Sequence, residues 1–93
     1  MPALMRIRQA IREQRYRISA HANEEMSEDN LLAGDVETVI LTGQVRRKYT
    51  HDPRGTRYEI VGETVDGRQA YVICRFLASG VLQIITAYVP EVL

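Results

Sequence analysis

The sequence has a single cysteine, no long apolar run and no secretory signal pattern, and each absence excludes a class of protein. Cys74 has no second cysteine with which to form an internal disulfide, whereas small secreted domains are usually rich in disulfides. The longest apolar stretch, residues 81–89, is interrupted by Gln83 and Thr86 and is far shorter than the ~20 residues of a membrane span. The N-terminal arginines are not followed by an apolar segment, so no signal peptide is predicted. We therefore expect a cytoplasmic protein that does not contact a membrane.

Motifs of several enzyme classes are also missing from the sequence. The chain has no glycine-rich phosphate loop, no Gly-x-Ser-x-Gly elbow and no cysteine pair for zinc. His21 lies near Glu24, Glu25 and Glu28, but one histidine with scattered carboxylates is not a metal-binding pattern. The sequence therefore predicts neither a metal site nor a cofactor.

The charged residues are strongly segregated along the chain. Twelve Lys and Arg balance twelve Asp and Glu, yet ten of the twelve basic residues lie in two blocks, residues 6–17 and 46–57. Residues 18–45 contain no basic residue and half of the acids. Such a molecule has basic and acidic surfaces that attract polyanions or oppositely charged partners. The alternative is that each block is a solvated face without a partner.

The first half of the chain has the periodicity of helices. Leu4, Ile7 and Ile11 recur at helical spacing. A second face of the same segment carries a stripe of three arginines that could contact phosphates: Arg8, Arg12 and Arg15. The sequence Tyr16-Arg17-Ile18 is typical of extended backbone.

Two shorter helices are predicted next. Ser19 is a suitable N-cap for a helix over residues 20–28. Val36, Val39 and Ile40 indicate a third helix, which Gly43 ends.

The second half of the chain changes to a period of two, which predicts four strands joined by tight turns. The predicted strands cover residues 44–50, 56–64, 68–76 and 81–89. Their turns are Asp52-Pro53-Arg54-Gly55, Asp66-Gly67 and Ser79-Gly80, all of them sequences that favour reversals. With 93 residues, the chain is predicted to be one α+β domain, residues 1–93, with N-terminal helices packed on a four-stranded antiparallel sheet.

Alternation along the last two strands predicts which side chains share a face of the sheet. In the third strand, Ala70, Val72, Cys74 and Phe76 are expected on one face, opposite Tyr71, Ile73 and Arg75. In the fourth strand, Leu82, Ile84, Thr86 and Tyr88 are expected together, opposite Val81, Gln83, Ile85 and Ala87.

Several sequence features in a fixed order resemble a bacterial family of small proteins known only as a domain of unknown function. They are Ile18-Ser19-Ala20-His21-Ala22, Met26, Asp35-Val36, Gly43, residues 58–62, Asp66-Gly67-Arg68 and Ile84-Ile85-Thr86-Ala87-Tyr88. That family is grouped with the RelE/ParE-like toxin superfamily, whose core has helices followed by an antiparallel sheet.

The resemblance implies the toxin half of a bacterial toxin–antitoxin pair, often a ribonuclease that acts on messenger RNA, with a cognate antitoxin protein as its partner. The chain departs from the family pattern, in which arginines are common at the positions of Glu25 and Asp29 and a Ser or Thr cap at Leu32. The acidic replacements make the second helix a poor surface for RNA.

Metal-independent RNA cleavage requires cationic clamps for the phosphate and nearby groups that transfer protons. Arg57 is the first candidate for a phosphate clamp, and Arg75, an arginine in an otherwise apolar strand, is the second. The superfamily resemblance adds Tyr88, since an arginine on each middle strand and a tyrosine near the end of the last strand resemble the toxin active site. The alternative for Tyr88 is a core tyrosine with a satisfied hydroxyl.

Two histidines are further catalytic candidates. His21 in the first turn of a helix would be neutral near pH 7, because the helix dipole disfavours its imidazolium. The alternative is that its ring packs on the sheet and bonds a loop carbonyl. His51 lies beside a predicted turn where Lys48 and Arg54, two candidate nucleic-acid ligands, also cluster.

Two functions are therefore considered. The first is a metal-independent endoribonuclease of the toxin kind, which acts on RNA and is held by an antitoxin. The second is a non-catalytic module of the same fold that binds nucleic acid or protein. Opposite charge blocks could also pair two copies as a homodimer. If Arg57, Arg75 and Tyr88 converge, the endoribonuclease is favoured; if they are dispersed, the binding module is.

Overall fold

The computed structural model describes residues 2–91, which form three helices and five strands. In chain order these are α1 (Ala3–Arg12), β1 (Tyr16–Ile18), α2 (Ala20–Glu28), α3 (Ala33–Thr42), β2 (Gln44–Tyr49), β3 (Arg57–Glu63), β4 (Gln69–Phe76) and β5 (Leu82–Tyr88). The predicted α+β class is confirmed. Within the described range, no helix is long and apolar enough to cross a membrane.

The predicted helices are present, with one change at the end of the first. α2 covers the predicted residues, and the Ser19 hydroxyl accepts a hydrogen bond from the Ala22 backbone N–H as an N-cap. α3 ends at Gly43 as predicted. α1 buries Ile7 and Ile11 but ends at Arg12. The chain then changes direction at Gln14, whose backbone has the left-handed conformation with φ 58°. The predicted arginine stripe is therefore broken, because its third member lies beyond the helix.

The predicted antiparallel meander is confirmed for β2 to β5, but the sheet has five strands and is mixed. The strand order is β1-β5-β4-β3-β2, and β1 pairs in parallel with β5, with Tyr16 opposite Leu82 and Ile18 opposite Ile84. The prediction of a four-stranded, purely antiparallel sheet is wrong. Three residues are too short to show a periodicity, and their partner strand lies more than sixty residues further along the chain.

The three predicted turns are all present. The Gly55 backbone N–H donates to the Asp52 carbonyl at 3.0 Å, and the Gly67 N–H donates to the Thr64 carbonyl at 3.0 Å. The last hairpin closes through the Gly80 N–H and the Leu77 carbonyl at 2.9 Å. All three glycines have positive φ, a conformation that glycine adopts without a steric penalty.

The hydrophobic core lies between the helices and one face of the sheet. Fully buried members from the helices include Ile7, Ile11, Val36, Val39 and Ile40, and those from the sheet include Ile60, Val72, Cys74, Leu82 and Ile84. Within residues 2–91 the opposite face of the sheet carries no helix.

The predicted alternation holds in β4 but fails in the second half of β5. Cys74 pairs with Ile84, whereas the preceding residue of β4, Ile73, pairs with Thr86 and not with Ile85. Ile85 is therefore an extra residue, a β-bulge that inverts the alternation after it. Ala87 enters the core and is fully buried, and Thr86 and Tyr88 turn to the opposite face, contrary to the prediction.

Candidate nucleic-acid interface on the open sheet face

The face of the sheet opposite the helices brings together arginines, tyrosines and two carboxylates. We call it the open face. Strand register places on it Arg17 of β1, Arg46, Arg47 and Tyr49 of β2, Arg57, Glu59 and Val61 of β3, Tyr71, Ile73 and Arg75 of β4, and Gln83, Thr86 and Tyr88 of β5, with Asp52 from the β2–β3 turn. Arginines and aromatic rings on a protein surface are the groups that hold single-stranded nucleic acid, the arginines through phosphates and the rings through base stacking.

One end of the open face is a cluster of arginines around Asp52. Its Oδ2 atom lies 3.1 Å from Arg57 Nε and 3.2 Å from Arg75 Nη1. Its Oδ1 atom accepts the Arg54 backbone N–H at 2.9 Å. This backbone hydrogen bond is the main reason that the pKa of Asp52 is lowered, with the arginine charges adding to it. The carboxylate is therefore ionised at neutral pH and occupies the point where the two predicted phosphate clamps meet.

The Arg57 guanidinium has contacts of two kinds. It stacks over the Tyr49 ring, 4.8 Å from the ring centroid, a favourable cation–π arrangement. Its Nε–H is not aimed at Asp52, and among residues 2–91 this buried donor has no hydrogen-bond partner. The contact with Asp52 is thus a charge attraction without a hydrogen bond at Nε.

The centre of the open face is built around Glu59. Its Oε1 atom accepts from Arg46 Nη1 at 3.1 Å, and its Oε2 atom accepts from the Tyr49 hydroxyl at 3.0 Å. Only 5% of Glu59 is exposed, so its charge depends on these donors. The pairing of β2 with β3 shifts by one residue at Arg46. The Arg46 guanidinium also lies 5.2 Å from the centroid of the Tyr71 ring.

The other end of the open face is a pair of tyrosines. The Tyr71 and Tyr88 rings lie 5.5 Å apart between centroids, tilted by 59°. Burial raises the pKa of Tyr88, and the nearby Glu59 charge raises it further. The Tyr88 hydroxyl therefore keeps its proton well above neutral pH and can act as a proton donor. Tyr88 is not the core tyrosine of the alternative interpretation.

The predicted clamps and Tyr88 share the open face but stand at its opposite ends. Tyr88 pairs with Tyr71 of β4, which pairs with Val61 of β3. Val61 is four positions from Arg57 along β3, and Tyr88 is two strands away from β3. Standard strand spacings place the Arg57 and Tyr88 backbones about 16 Å apart. This span exceeds one nucleotide, so an RNA strand could contact both ends only by running across the face.

Three more predicted residues lie beside the arginine cluster. Lys48, His51 and Arg54 line an open cavity of about 750 Å³, together with Arg57. His51 is exposed. The structure therefore groups five of the predicted site residues around the Asp52 turn, the fifth being Arg75. Their roles stay predictions.

His21 lies away from this cluster, on α2. Its side chain is 65% exposed, with Nε2 3.3 Å from Glu25 Oε1, so it does not pack on the sheet as the alternative interpretation required. Glu25 and Asp29 accept the backbone N–H groups of Ala87 and Val89 at 3.2 and 2.9 Å. These acids therefore satisfy the edge of β5 that β1 leaves unpaired, which gives them a structural role.

The three predicted nucleic-acid ligands of the N-terminal block have different surroundings. Arg8 donates to the Ile40 carbonyl at 3.0 Å and the Gly43 carbonyl at 2.7 Å, capping the end of α3. Arg15 donates to the Gly80 carbonyl and pairs with Glu13. Arg12 is exposed. None of the three is on the open face, and their proposed contacts with RNA stay predictions.

Sequence reasoning missed Arg46, Tyr49, Asp52, Glu59 and Tyr71 as site residues. Tyr71 carried a signal, because alternation along the third strand predicts it on the same face as Arg75. Tyr49 and Glu59 could have been grouped with Arg57 if the hairpin register had been counted from the turn. The contacts of Arg46 depend on the register shift between β2 and β3, which no pattern in the local sequence predicts.

Metal binding and thiol chemistry are two alternatives to the proton-transfer groups of the open face. Within residues 2–91 no group of three His, Cys, Asp or Glu side chains could hold a metal ion. Cys74 is fully buried, and burial raises the pKa of its thiol to about 12. Cys74 is therefore a small apolar side chain of the core, on the same face as Ala70 and Val72 as the alternation predicted.

The fold and the open face define a two-layer α+β domain with a basic, aromatic sheet surface. The chain belongs to the family described as a domain of unknown function, DUF4258, whose profile matches residues 18–89. No curated protein and no solved structure matches it significantly. The prediction of a domain-of-unknown-function family is confirmed, and its placement in the RelE/ParE-like superfamily stays a prediction.

Proposed function

We propose that this protein binds single-stranded RNA on the open face and cleaves it without a metal ion, as the RelE-like toxin of a bacterial toxin–antitoxin pair. Arg57 and Arg75 converge, but Tyr88 is separated from them, so the proposal assigns the proton transfers to Glu59 and Tyr88 and leaves the two arginines to hold the strand. One observation carries the proposal. A sheet face free of helices within residues 2–91 presents an arginine cluster, a buried glutamate and a protonated tyrosine along one continuous path.

The two ends of the open face suit different parts of an RNA strand. Arg57 and Arg75 converge on a single oxygen of Asp52. A phosphate oxygen of RNA could replace this carboxylate oxygen and contact both guanidinium groups. Tyr71 and Tyr88 offer ring faces on which unpaired bases can stack, worth about 1–3 kcal/mol per base. Binding would then be strong for single strands and weak for a duplex, whose bases are already stacked.

The centre of the open face has the groups for transesterification. In the proposed step Glu59 takes the proton of a ribose 2′-hydroxyl, and the 2′-oxygen forms a bond with the adjacent phosphorus. The bond from phosphorus to the 5′-oxygen breaks, and Tyr88 donates a proton to that leaving oxygen. Arg46, 3.1 Å from Glu59, would stabilise the added negative charge on the phosphate. The products are a 2′,3′-cyclic phosphate and a 5′-hydroxyl.

A second candidate function is a non-catalytic RNA-binding module. The observation that favours it is the wide spacing of Arg57 and Tyr88, which prevents one phosphate from touching both. In addition, Glu59 already receives two hydrogen bonds, from Arg46 and Tyr49. Under this alternative the open face holds RNA and no bond is broken.

A toxin must be silenced in its own cell, so the proposal includes an antitoxin. An acidic or amphipathic antitoxin segment would cover the basic β2–β3 hairpin and α1, gaining from charge attraction as water leaves. The competing occupant is the acidic surface of a second copy, which would form a homodimer that dissociates in high salt.

Cleavage assays on a short single-stranded RNA test the proposed chemistry. We expect Glu59→Gln and Tyr88→Phe each to slow cleavage by about a hundredfold, since a positioned proton-transfer group contributes 10²–10⁴ in rate. Tyr16→Phe is the matched control, because Tyr16 bonds Glu37 away from the open face. The same RNA with deoxyribose throughout should bind but stay intact.

The possible outcomes separate the two candidates. Cleavage that depends on the 2′-hydroxyl and on Glu59 supports the endoribonuclease. RNA binding without any cleavage favours the module, and the absence of both contradicts the whole proposal. Expression in bacteria tests whether the protein is a toxin. We expect the wild-type protein to slow growth and Glu59→Gln to restore it. Normal growth with abundant soluble wild-type protein counts against a toxin.

A further inference from the structure

Two large apolar side chains are exposed at positions where local chemistry favours polar residues. Leu32 is 73% exposed and occupies the N-cap of α3 without a side-chain cap, a position where Ser, Thr, Asp and Asn are strongly preferred. Val65 is also 73% exposed and follows Thr64 in the β3–β4 turn, where polar residues predominate. Neither apolar side chain contributes to the core of this molecule.

A single buried carboxylate brings these two residues together. Asp35 is only 7% exposed. Its Oδ2 atom accepts the Leu32 backbone N–H at 2.9 Å, and its Oδ1 atom accepts the Val65 backbone N–H at 3.1 Å. Because both backbones bond the two oxygens of one carboxylate, Leu32 and Val65 are neighbours, although they are distant in sequence.

The same region is fastened by a second side chain, Arg68. Its Nη1 and Nη2 atoms donate to the carbonyls of Asp29 and Asn30 at 2.6 and 3.0 Å, and its Nε donates to Asp66. The turn after β3 is thereby joined to the loop between α2 and α3. The apolar pair is therefore held on a fixed platform, which lowers the entropy lost when a partner docks.

A groove lies beside this platform. It has a volume of about 480 Å³, and Leu32 is one of its walls. The groove is otherwise lined by Met26, Leu31, Ala33 and Ile18, with uncharged polar residues of α2 and of the loop that follows it. A helix that laid one apolar side chain into the groove could contact Leu32 and Val65 with the next turn.

The charges around the platform are predominantly negative. Glu24 and Glu28 of α2 are exposed, and residues 18–45, which supply both α2 and α3, contain no basic residue. Arg68 is the nearby cation, and all three of its donor groups are engaged. An acidic rim around an apolar centre favours a partner whose apolar stripe is flanked by Lys or Arg.

We propose that Leu32, Val65 and the adjacent groove form a docking site for a basic amphipathic helix of a protein partner. The site does not depend on the proposed RNA chemistry. Arg57 is the first residue of β3, whereas Val65 lies just after the last residue of the same strand. A partner on this platform would leave the arginine cluster around Asp52 accessible.

Peptide binding to designed variants tests this proposal. The probe is a synthetic amphipathic helix of leucine and lysine, and its negative control replaces every lysine with glutamate. We expect the full-length protein to bind the lysine peptide, and Leu32→Ser with Val65→Thr to weaken binding by about tenfold or more, since each buried apolar side chain is worth a factor of this order. Met5→Ser, which removes an apolar residue 55% exposed on α1, should bind like wild type.

Folding and binding are separable in this test. Leu32→Ser supplies the preferred N-cap, so we expect its Tm to rise by about 4 °C while its affinity falls. No binding of the lysine peptide, equal binding of the glutamate peptide, or unchanged binding by the double variant would overturn the proposal. So would sedimentation that shows wild type to be a dimer and the double variant a monomer, because the occupant would then be a second copy.

Discussion

Asp52 illustrates how one residue can change the availability of a site. Its carboxylate lies between Arg57 and Arg75 and is itself only slightly exposed, with its pKa lowered by the Arg54 backbone N–H. An RNA phosphate would have to displace this carboxylate to reach both guanidinium groups. Under the proposed function, Asp52 is therefore an internal competitor of RNA.

Asp52→Asn should tighten RNA binding, because it removes the negative charge that competes with phosphate for Arg57 and Arg75. If Asp52 only held the two arginines in place, the same substitution would weaken binding. We expect the affinity for a 2′-O-methyl RNA, which cannot be cleaved, to rise about 1.5-fold to fivefold, the change in a binding constant that corresponds to the roughly 0.2–1 kcal/mol of one ion pair. Fluorescence anisotropy at fixed salt measures this change. Asp66→Asn, which removes an arginine-paired aspartate near the other end of β3, is the control; equal gains in both variants would indicate a general charge effect.

At the scale of elements, two glycines allow α3 to approach the sheet. A Cβ atom on Gly43 would clash with the carbonyl oxygens of Val61 and Val39 and lie 2.9 Å from the Val61 carbonyl carbon. A Cβ on Gly62 would lie 2.9 Å from Gly43 Cα. The end of α3 therefore packs directly on the backbone of β3, the strand that carries both Arg57 and Glu59.

Gly43→Ala should destabilise the fold because the colliding atoms are backbone atoms that cannot rotate away. We expect the free energy of unfolding to fall by about 1–3 kcal/mol, as for other overpacked sites. Gly34→Ala, at the other end of α3, is the matched control, since its Cβ would meet no atom within 4 Å, and it should gain about 0.5–1 kcal/mol from helix propensity. Urea denaturation compares the two; similar stability of both variants would contradict the close approach.

The whole molecule is polarised although its net charge is zero. Three acids of residues 18–45 lie at the edge of β5 or at Leu32: Glu25 and Asp29 accept backbone N–H groups of the β5 edge, and Asp35 accepts the Leu32 backbone N–H. The open face holds most of the second basic block. Two surfaces of opposite charge on one small domain suit two different partners. The structure thereby gives the segregation of charge in the sequence a spatial form.

The salt dependence of RNA binding should identify the basic surface that is used. Each phosphate contact on a single strand contributes about 0.7 to the slope of log K against log salt. We expect Arg57→Gln to reduce that slope by about 0.7, with Arg12→Gln, on the exposed side of α1, unchanged. If Arg12→Gln has the larger effect, RNA lies over α1 and the open face is not the interface.

The sequence by itself determined the helices, the turns and four of the five strands. Ser19 and Gly43 act through neighbours in the chain, and the three turn glycines act within their own hairpins, so local patterns were sufficient. It also placed Arg75 on the face shared with Tyr71 and Ile73 and opposite Cys74, because strict alternation holds along β4.

Only the tertiary structure decided where Tyr88, Arg46, β1 and the Leu32–Val65 pair lie. Tyr88 changes face because of one extra residue at Ile85, and an irregular pairing with β3 surrounds Arg46. β1 finds its partner strand far along the chain, and Asp35 joins two backbones that are more than thirty residues apart. Register, parallel pairing and shared hydrogen bonds are properties of two distant segments together, so neither segment encodes them alone.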